Sequence, residues 1–267
     1  MTAEMPEYGV TYLTVGQSHL VRLAVSLYTL RRHYSGPITI INGGGDGGVV
    51  PRIAEGSEAS VLNVTAADDS KNGVYAFKGS LGSRFPYALN LWLDADTTVH
   101  GPVGGLFDAG DAYGLAVTQF SDWRTTGRVV SKRINRWRKV CSPVLDVVGV
   151  VDLITRVSQP AVNTGVFVVR REHPFLSDWA DLCGRLKTFI ADEIACQLLL
   201  TKHRHVMLSD RWNWSPLYGI AKNPVIRHYH GGKHMRRVEC RAHWEPNYHA
   251  ARLANYCAIK SWSGILP

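Results

Sequence analysis

The chain has 267 residues, 45% of them hydrophobic, enough to bury a full core as one large α/β domain or two small ones. No stretch approaches the ~18 uninterrupted apolar residues of a membrane span, and Met1 to Tyr8 carries Glu4 and Glu7 without a basic cluster, unlike a secretory signal. The five cysteines (Cys141, Cys183, Cys196, Cys240 and Cys257) are odd in number and form no Cys-x-x-Cys pair. They argue against a zinc ribbon or disulfide framework and for buried free thiols in a reducing, cytoplasmic compartment. A formal net charge of +8 suggests an acidic partner.

Residues 10–15 are β-branched, bounded by Gly9 and Gly16, and predict a first strand. Leu20, Leu23, Ala24, Leu27 and Leu30 then fall at helical spacing, with Ser18 as the expected N-cap. Ser35-Gly36-Pro37 breaks this helix before a short second strand at 38–41. Such a β-α-β opening predicts a sheet with crossover helices. The cluster Gly43-Gly44-Gly45-Asp46-Gly47-Gly48 lacks the Gly-Lys-Ser/Thr ending of a phosphate loop. It does not fit Gly-x-Gly-x-x-Gly with a helix directly behind it either, so it reads as a flexible loop. Residues 60–64 predict a third strand, and the apolar run 88–93 a strand covered on both faces. Further strands are expected at 113–118 and 166–170, helices at 174–187 and 192–202, and the end of the sheet at 225–229. There is no internal repeat.

Asp94 and Asp96, in Leu93-Asp94-Ala95-Asp96-Thr97, are the most informative residues. Strand side chains alternate, so the two carboxylates are expected to point to one side at the carboxyl end of a buried strand, where open α/β sheets place ligands. Two carboxylates there repel each other and lose solvation unless they share a cation. Oxygen ligands select hard ions such as Mn²⁺ or Mg²⁺. The tripeptide alone also fits a solvated turn, because Asp is a common turn former.

The stretch Leu91-Trp92-Leu93-Asp94-Ala95-Asp96-Thr97-Thr98-Val99, followed by Gly101 and Leu106-Phe107-Asp108, resembles the metal motif of glycosyltransferases related to glycogenin and bacterial lipooligosaccharide galactosyltransferases. The resemblance implies a GT-A fold, a mostly parallel mixed sheet flanked by helices. It implies a single domain over 1–267, with a donor-binding part at about 9–118 and an acceptor-side, closing part at about 119–267.

Three further blocks resemble this family in the right order. Asn163-Thr164-Gly165-Val166-Phe167-Val168-Val169 is similar to a strand whose polar residues approach the donor sugar; alone, it also reads as a turn entering a strand. Asp192-Glu193-Ile194-Ala195 resembles an Asp-Gln helix start whose aspartate lies near the transferred sugar. Glu193 stands where the family has Gln, so only Asp192 carries over, and an ordinary acidic helix N-terminus fits it as well. His228-Tyr229-His230-Gly231-Gly232-Lys233-His234 resembles a His-x-x-Gly segment followed by lysine. It implies His228 as a third metal ligand, with His230 as the alternative, and Gly231 and Lys233 at the diphosphate. The spacing to Lys233 is one residue short and the family's following Pro-Trp is absent. An imidazole ligand suits Mn²⁺ better than Mg²⁺.

Upstream, Lys78 stands where related enzymes often carry a lysine for donor phosphates or uracil; it also reads as a solvated helix lysine. Thr14, Val15 and Gly16 stand where the family packs its nucleobase, with Tyr12 or Tyr75 as a stacking ring. The resemblance thus implies a Mn²⁺-dependent hexosyltransferase that uses a nucleotide-diphosphate sugar, UDP-sugar foremost, and retains anomeric configuration. Asp192 and Asn163 are the catalytic candidates. Thr14, Lys78, Asp94, Asp96, Asn163, Thr164, Gly231 and Lys233 form the donor set, and Asp94, Asp96 and His228 the metal set.

Residues 123–145 contain no acidic side chain but carry Arg124, Arg128, Lys132, Arg133, Arg136, Arg138 and Lys139. Val130, Ile134, Trp137 and Cys141 recur at helical spacing, which predicts an amphipathic helix with a cationic outer face ended by Pro143. A solubilising surface is one reading. The other is an anionic acceptor bound by Arg128, Lys132, Arg136 and Trp137: DNA with hydroxymethylated bases in a bacterium or virus-infected cell, a phosphorylated glycolipid, or an anionic membrane surface. Trp123, His243, Trp244 and Tyr248 offer further stacking faces. A nucleotidyltransferase and a non-catalytic nucleic-acid-binding module are the competing classes.

Overall fold

The computed structural model describes residues 7–65, 71–121, 160–186, 190–215 and 219–229. In chain order these form β1 (Tyr8–Thr14), α1 (Leu20–Arg31), β2 (Ile38–Asn42), α2 (Val49–Gly56), β3 (Ser60–Asn63) and α3 (Lys71–Ser80). There follow β4 (Leu89–Leu93), β5 (Thr97–Val99), α4 (Gly104–Tyr113), β6 (Leu115–Ser121), β7 (Ala161–Arg170), α5 (Phe175–Leu186), α6 (Ala191–Leu199), β8 (Val206–Leu208) and β9 (Ile226–His228).

Seven strands build the main sheet in the order β3-β2-β1-β4-β7-β6-β8. β7 runs antiparallel to both β4 and β6, while the other neighbouring pairs are parallel. The expected mixed, mostly parallel α/β sheet is therefore present. The strand order reverses between β1 and β4, and the crevice at their carboxyl ends is the place where open α/β sheets bind ligands.

Each face of the sheet has its own core. Leu89, Leu91 and Leu93 of β4 pack with Val166 and Val168 of β7 beneath α1, α2 and α4. Trp92 and Phe167 face the opposite way, toward Trp179 of α5 and Ile194 and Ala195 of α6. This is the period-two alternation of strands buried on both faces. Asn90, the polar residue of β4, is fully buried; it accepts from Tyr87 N and donates to the Tyr87 carbonyl at 2.6 Å.

Four local expectations are corrected. His19, not Ser18, occupies the N-cap position of α1, and it makes no side-chain cap bond. A helix does start directly behind the glycine cluster, because the Asp46 carboxylate accepts the Val50 N–H at 2.9 Å at the start of α2. Tyr113 belongs to α4 rather than to a strand; Gly114, at φ 77°, ends that helix in the left-handed region and lets β6 begin at Leu115. β9 does not end the main sheet but pairs antiparallel with β5 in a two-stranded sheet of its own.

Candidate metal centre

Asp94 is the first residue after β4, and its N–H donates to the Gly165 carbonyl of β7 at 2.8 Å. The chain then turns at once: both the N–H and the hydroxyl of Thr97 donate to the Asp94 carbonyl, at 3.2 and 2.9 Å. Asp96 sits in this turn, so the two carboxylates converge through a turn and not through the expected strand alternation. The turn leads into β5, whose Thr97 pairs with His228 of β9, and the Tyr229 N–H closes on the Asp96 carbonyl at 2.9 Å.

His228 Nε2 thereby lies 3.0 Å from Asp96 Oδ1 and 3.9 Å from Asp94 Oδ2. One ligand atom from each of the three residues falls within 4.8 Å of the others. Ligands of one small divalent ion stand about 3 Å apart, so the three groups fit such an ion with only slight inward movement. Burial alone would lower the His228 pKa, but the Asp96 and Asp94 carboxylates override it and hold the imidazole above its usual range.

The surrounding side chains decide which atoms face this point. Asp94 Oδ1 accepts from Trp92 Nε1 at 2.9 Å and from Lys78 Nζ at 2.8 Å, which leaves Oδ2 toward His228. The His228 ring lies over Gly165, where a Cβ would come within 2.1 Å of Cε1, so no larger residue fits beneath it. Asn163 Oδ1 accepts the Gly165 N–H at 2.8 Å, and its amide donates to Glu193 Oε2 at 3.0 Å. Asn163, Thr164 and Gly165 lie inside β7 rather than in a turn before it.

Asp192, at the start of α6, accepts from the Thr164 hydroxyl at 2.6 Å and pairs with Lys78 Nζ at 3.1 Å. Its other oxygen, Oδ1, is buried without a hydrogen-bond partner among the described residues. Of the two readings of Lys78, the solvated helix lysine is excluded: the side chain is buried, and its ammonium bridges Asp94 and Asp192 and donates to the Thr164 carbonyl at 3.0 Å. Burial would depress its pKa, yet the two carboxylates raise it above the usual lysine range.

No protein-family model and no curated protein matches the sequence. Solved structures do match. Mouse xyloside xylosyltransferase 1 superposes with a TM-score of 0.57 at 12% identity, over 85% of this chain and 98% of that one. The galactosyltransferase LgtC, with donor and acceptor sugar analogues, gives 0.54 at 14% identity over 84% and 87%. The WbbM bifunctional glycosyltransferase gives 0.55 at 13% identity over 86% of this chain but 47% of its own. The fold is that of GT-A glycosyltransferases. In this GT-A sheet the acidic pair lies at the carboxyl end of β4, beside the crevice between β1 and β4.

Around that crevice, Thr14 is buried at the end of β1, and its hydroxyl has no partner among the described residues. Tyr12 is corrected: it is fully buried, with its hydroxyl on Ser26 Oγ at 2.9 Å, and offers no stacking face. Tyr75 on α3 is half-buried. Two residues that sequence reasoning missed stand at the centre. Glu193 holds Asn163, and Asn213, itself fully buried, holds His228 Nδ1 at 2.9 Å. The acidic start of α6 was a signal for Glu193; a lone Asn between two Trp residues offered none for Asn213. His230, Gly231, Lys233, the segment with Arg128, Lys132, Arg136 and Trp137, and Trp123, His243, Trp244 and Tyr248 lie outside the described residues. Among the described residues, no helix is long and apolar enough to cross a membrane.

Proposed function

We propose that the protein is a divalent-cation-dependent glycosyltransferase that moves a hexose from a nucleotide-diphosphate sugar, UDP-sugar foremost, to a hydroxyl acceptor. The observation that carries this reading is the convergence of Asp94, Asp96 and His228 at the carboxyl end of β4 in a GT-A sheet. The oxygen-rich set with one imidazole suits Mn²⁺. A cation bound there supplies positive charge against the diphosphate as the glycosidic bond breaks.

The protein's own groups do the rest. Lys78 holds Asp192 in place, and Asp192 Oδ1, buried and without a partner among the described residues, would accept a hydrogen bond from a hydroxyl of the donor sugar. Asn163 and Thr164 line the same wall from β7. Thr14, at the end of β1, is the candidate contact for the nucleoside. Direct front-face transfer with retention is the course that the family resemblance implies. On the acceptor side the reading stays with an anionic acceptor, supported by the cationic sequence of residues 123–145 alone. DNA with hydroxymethylated bases is the form to try first, followed by phosphorylated glycolipid.

The test is release of UDP from UDP-glucose or UDP-galactose with Mn²⁺. Asp94→Asn and Asp96→Asn are expected to lower it by about 100-fold or more, in line with the several kcal/mol such a cation contributes. Absence of donor binding and hydrolysis across a nucleotide-sugar panel, or variants that bind donor like the wild type, would overturn the proposal.

A further inference from the structure

The buried network around His228 fixes which of its ring nitrogens carries the proton. The chain of constraint begins at Thr118 of β6, whose hydroxyl donates to the Val166 carbonyl at 2.8 Å. With its proton committed there, Thr118 Oγ1 can only accept. Asn213 reaches this oxygen at 2.9 Å and reaches the Asn163 backbone carbonyl, also an acceptor only, at 3.2 Å. The side of the Asn213 carboxamide facing these two oxygens must therefore be the NH₂. Its Oδ1 must then face His228 Nδ1, at 2.9 Å. An amide oxygen cannot donate, so Nδ1 bears the hydrogen. Nε2 faces the Asp96 carboxylate at 3.0 Å, so in the metal-free cationic ring it carries a hydrogen as well, and it is the nitrogen whose proton a cation would replace.

We infer that Asn213 is a positioning residue that locks His228 in its Nδ1–H tautomer and so presents Nε2 to the metal point. The inference rests on the proposed cation site and adds a residue to it. Asn213 is held from both sides. The Trp214 N–H donates to the Ile226 carbonyl and the His228 N–H to the Trp214 carbonyl, each at 2.9 Å, and this ties residues 213–214 to β9 itself. Gly165 beneath the ring leaves the imidazole the space that any Cβ would take. Position and tautomer are thus set by separate contacts.

Two measurements test this. The first needs no mutation of Asn213: two-bond ¹H–¹⁵N correlation spectra of ¹⁵N-histidine-labelled full-length protein at alkaline pH, without and with Mg²⁺ as a diamagnetic probe. The His228 signals are assigned by their loss in His228→Gln. Nδ1 is expected to be protonated in both spectra, and Nε2 to be proton-free once Mg²⁺ binds; a bare Nδ1 in either spectrum overturns the inference. The second is a double-mutant cycle of Mn²⁺ affinity read by electron paramagnetic resonance, with Asn213→Leu and Asn213→Ser each made in the wild type and in His228→Ala. Each substitution is expected to weaken Mn²⁺ binding by about 10–100-fold in the wild type and to have little further effect once His228 is gone. Equal losses in both backgrounds would show Asn213 acting through the general fold and would overturn the inference. Failure of wild-type protein to bind Mn²⁺ would sink the cation reading instead, and the tautomer would still be decided by the spectra.

Discussion

Lys78 carried two readings in the sequence, a donor-site lysine and a solvated one, and its burial excludes the second. Its neighbours on α3 allow a solvated lysine, but the fold buries it and closes it onto Asp94, Asp192 and Thr164. Such an ammonium is costly to desolvate and is tolerated because two carboxylates and a carbonyl surround it. Lys78→Met, close in length, would strand both carboxylates. Breaking a buried pair this way is expected to destabilise the protein by about 3–5 kcal/mol, read as the shift of the urea unfolding midpoint. An unchanged midpoint would mean the ion pairs contribute nothing net. The aspartate pair was legible as residues because two carboxylates at a strand end are themselves a chemical signal. Lys78 and Thr164 entered the donor set through the family resemblance, but their contact was not legible, because they are 86 residues apart, a distance no periodicity spans.

At the scale of elements, the strands and helices foreseen from apolar patterning are present where burial is two-sided or clearly periodic, as in β4, β7, α1 and α5. The shortest pieces, β5 and β8, were not visible: three residues carry too little pattern, and these strands exist through their partners. β5 matters most, since its pairing with β9 brings His228 to the acidic turn. Close packing between elements is testable at Gly110 of α4, where an added Cβ would stand 2.3 Å from Val168 Cγ1 on β7. Gly110→Ala improves helix propensity by about 1 kcal/mol, but overpacking against a buried β-branched side chain costs about 1–3 kcal/mol. A net fall in melting temperature is expected; a rise would show that α4 can lift from the sheet without penalty.

For the whole molecule, two histidines, His228 buried and His100 half-buried, pull the pH dependence of stability in opposite directions. The folded-state pKa of His228 is raised above 6.5, despite burial, by Asp96 and Asp94. Without added metal, its contribution is fully present below that value and is lost as pH rises through the raised one. His100 is lowered from 6.5 to about 4, by burial first and then by Arg227, His33 and Arg32. Its contribution is fully present above 6.5 and is lost as pH falls toward 4. In chelator, urea midpoints of His228→Gln are expected to lose the wild type's alkaline-side decline, and those of His100→Gln part of its acid-side decline. Profiles parallel to the wild type's would contradict both assignments.

Residue chemistry and apolar patterning were enough to name an α/β sheet and a strand ending in two aspartates, while the family resemblance added a histidine late in the chain. These follow from which side chains are present and from spacings of a few residues, so they survive in a linear reading. Which carboxylate oxygen and which imidazole nitrogen face the acidic turn depends on packing. Asp96 and His228 meet across 132 residues, and the atoms they present are selected by Trp92, Lys78, Gly165 and Asn213 from other elements. Hydrogen-bond direction depends on neighbours in space, and only the folded chain brings those neighbours together.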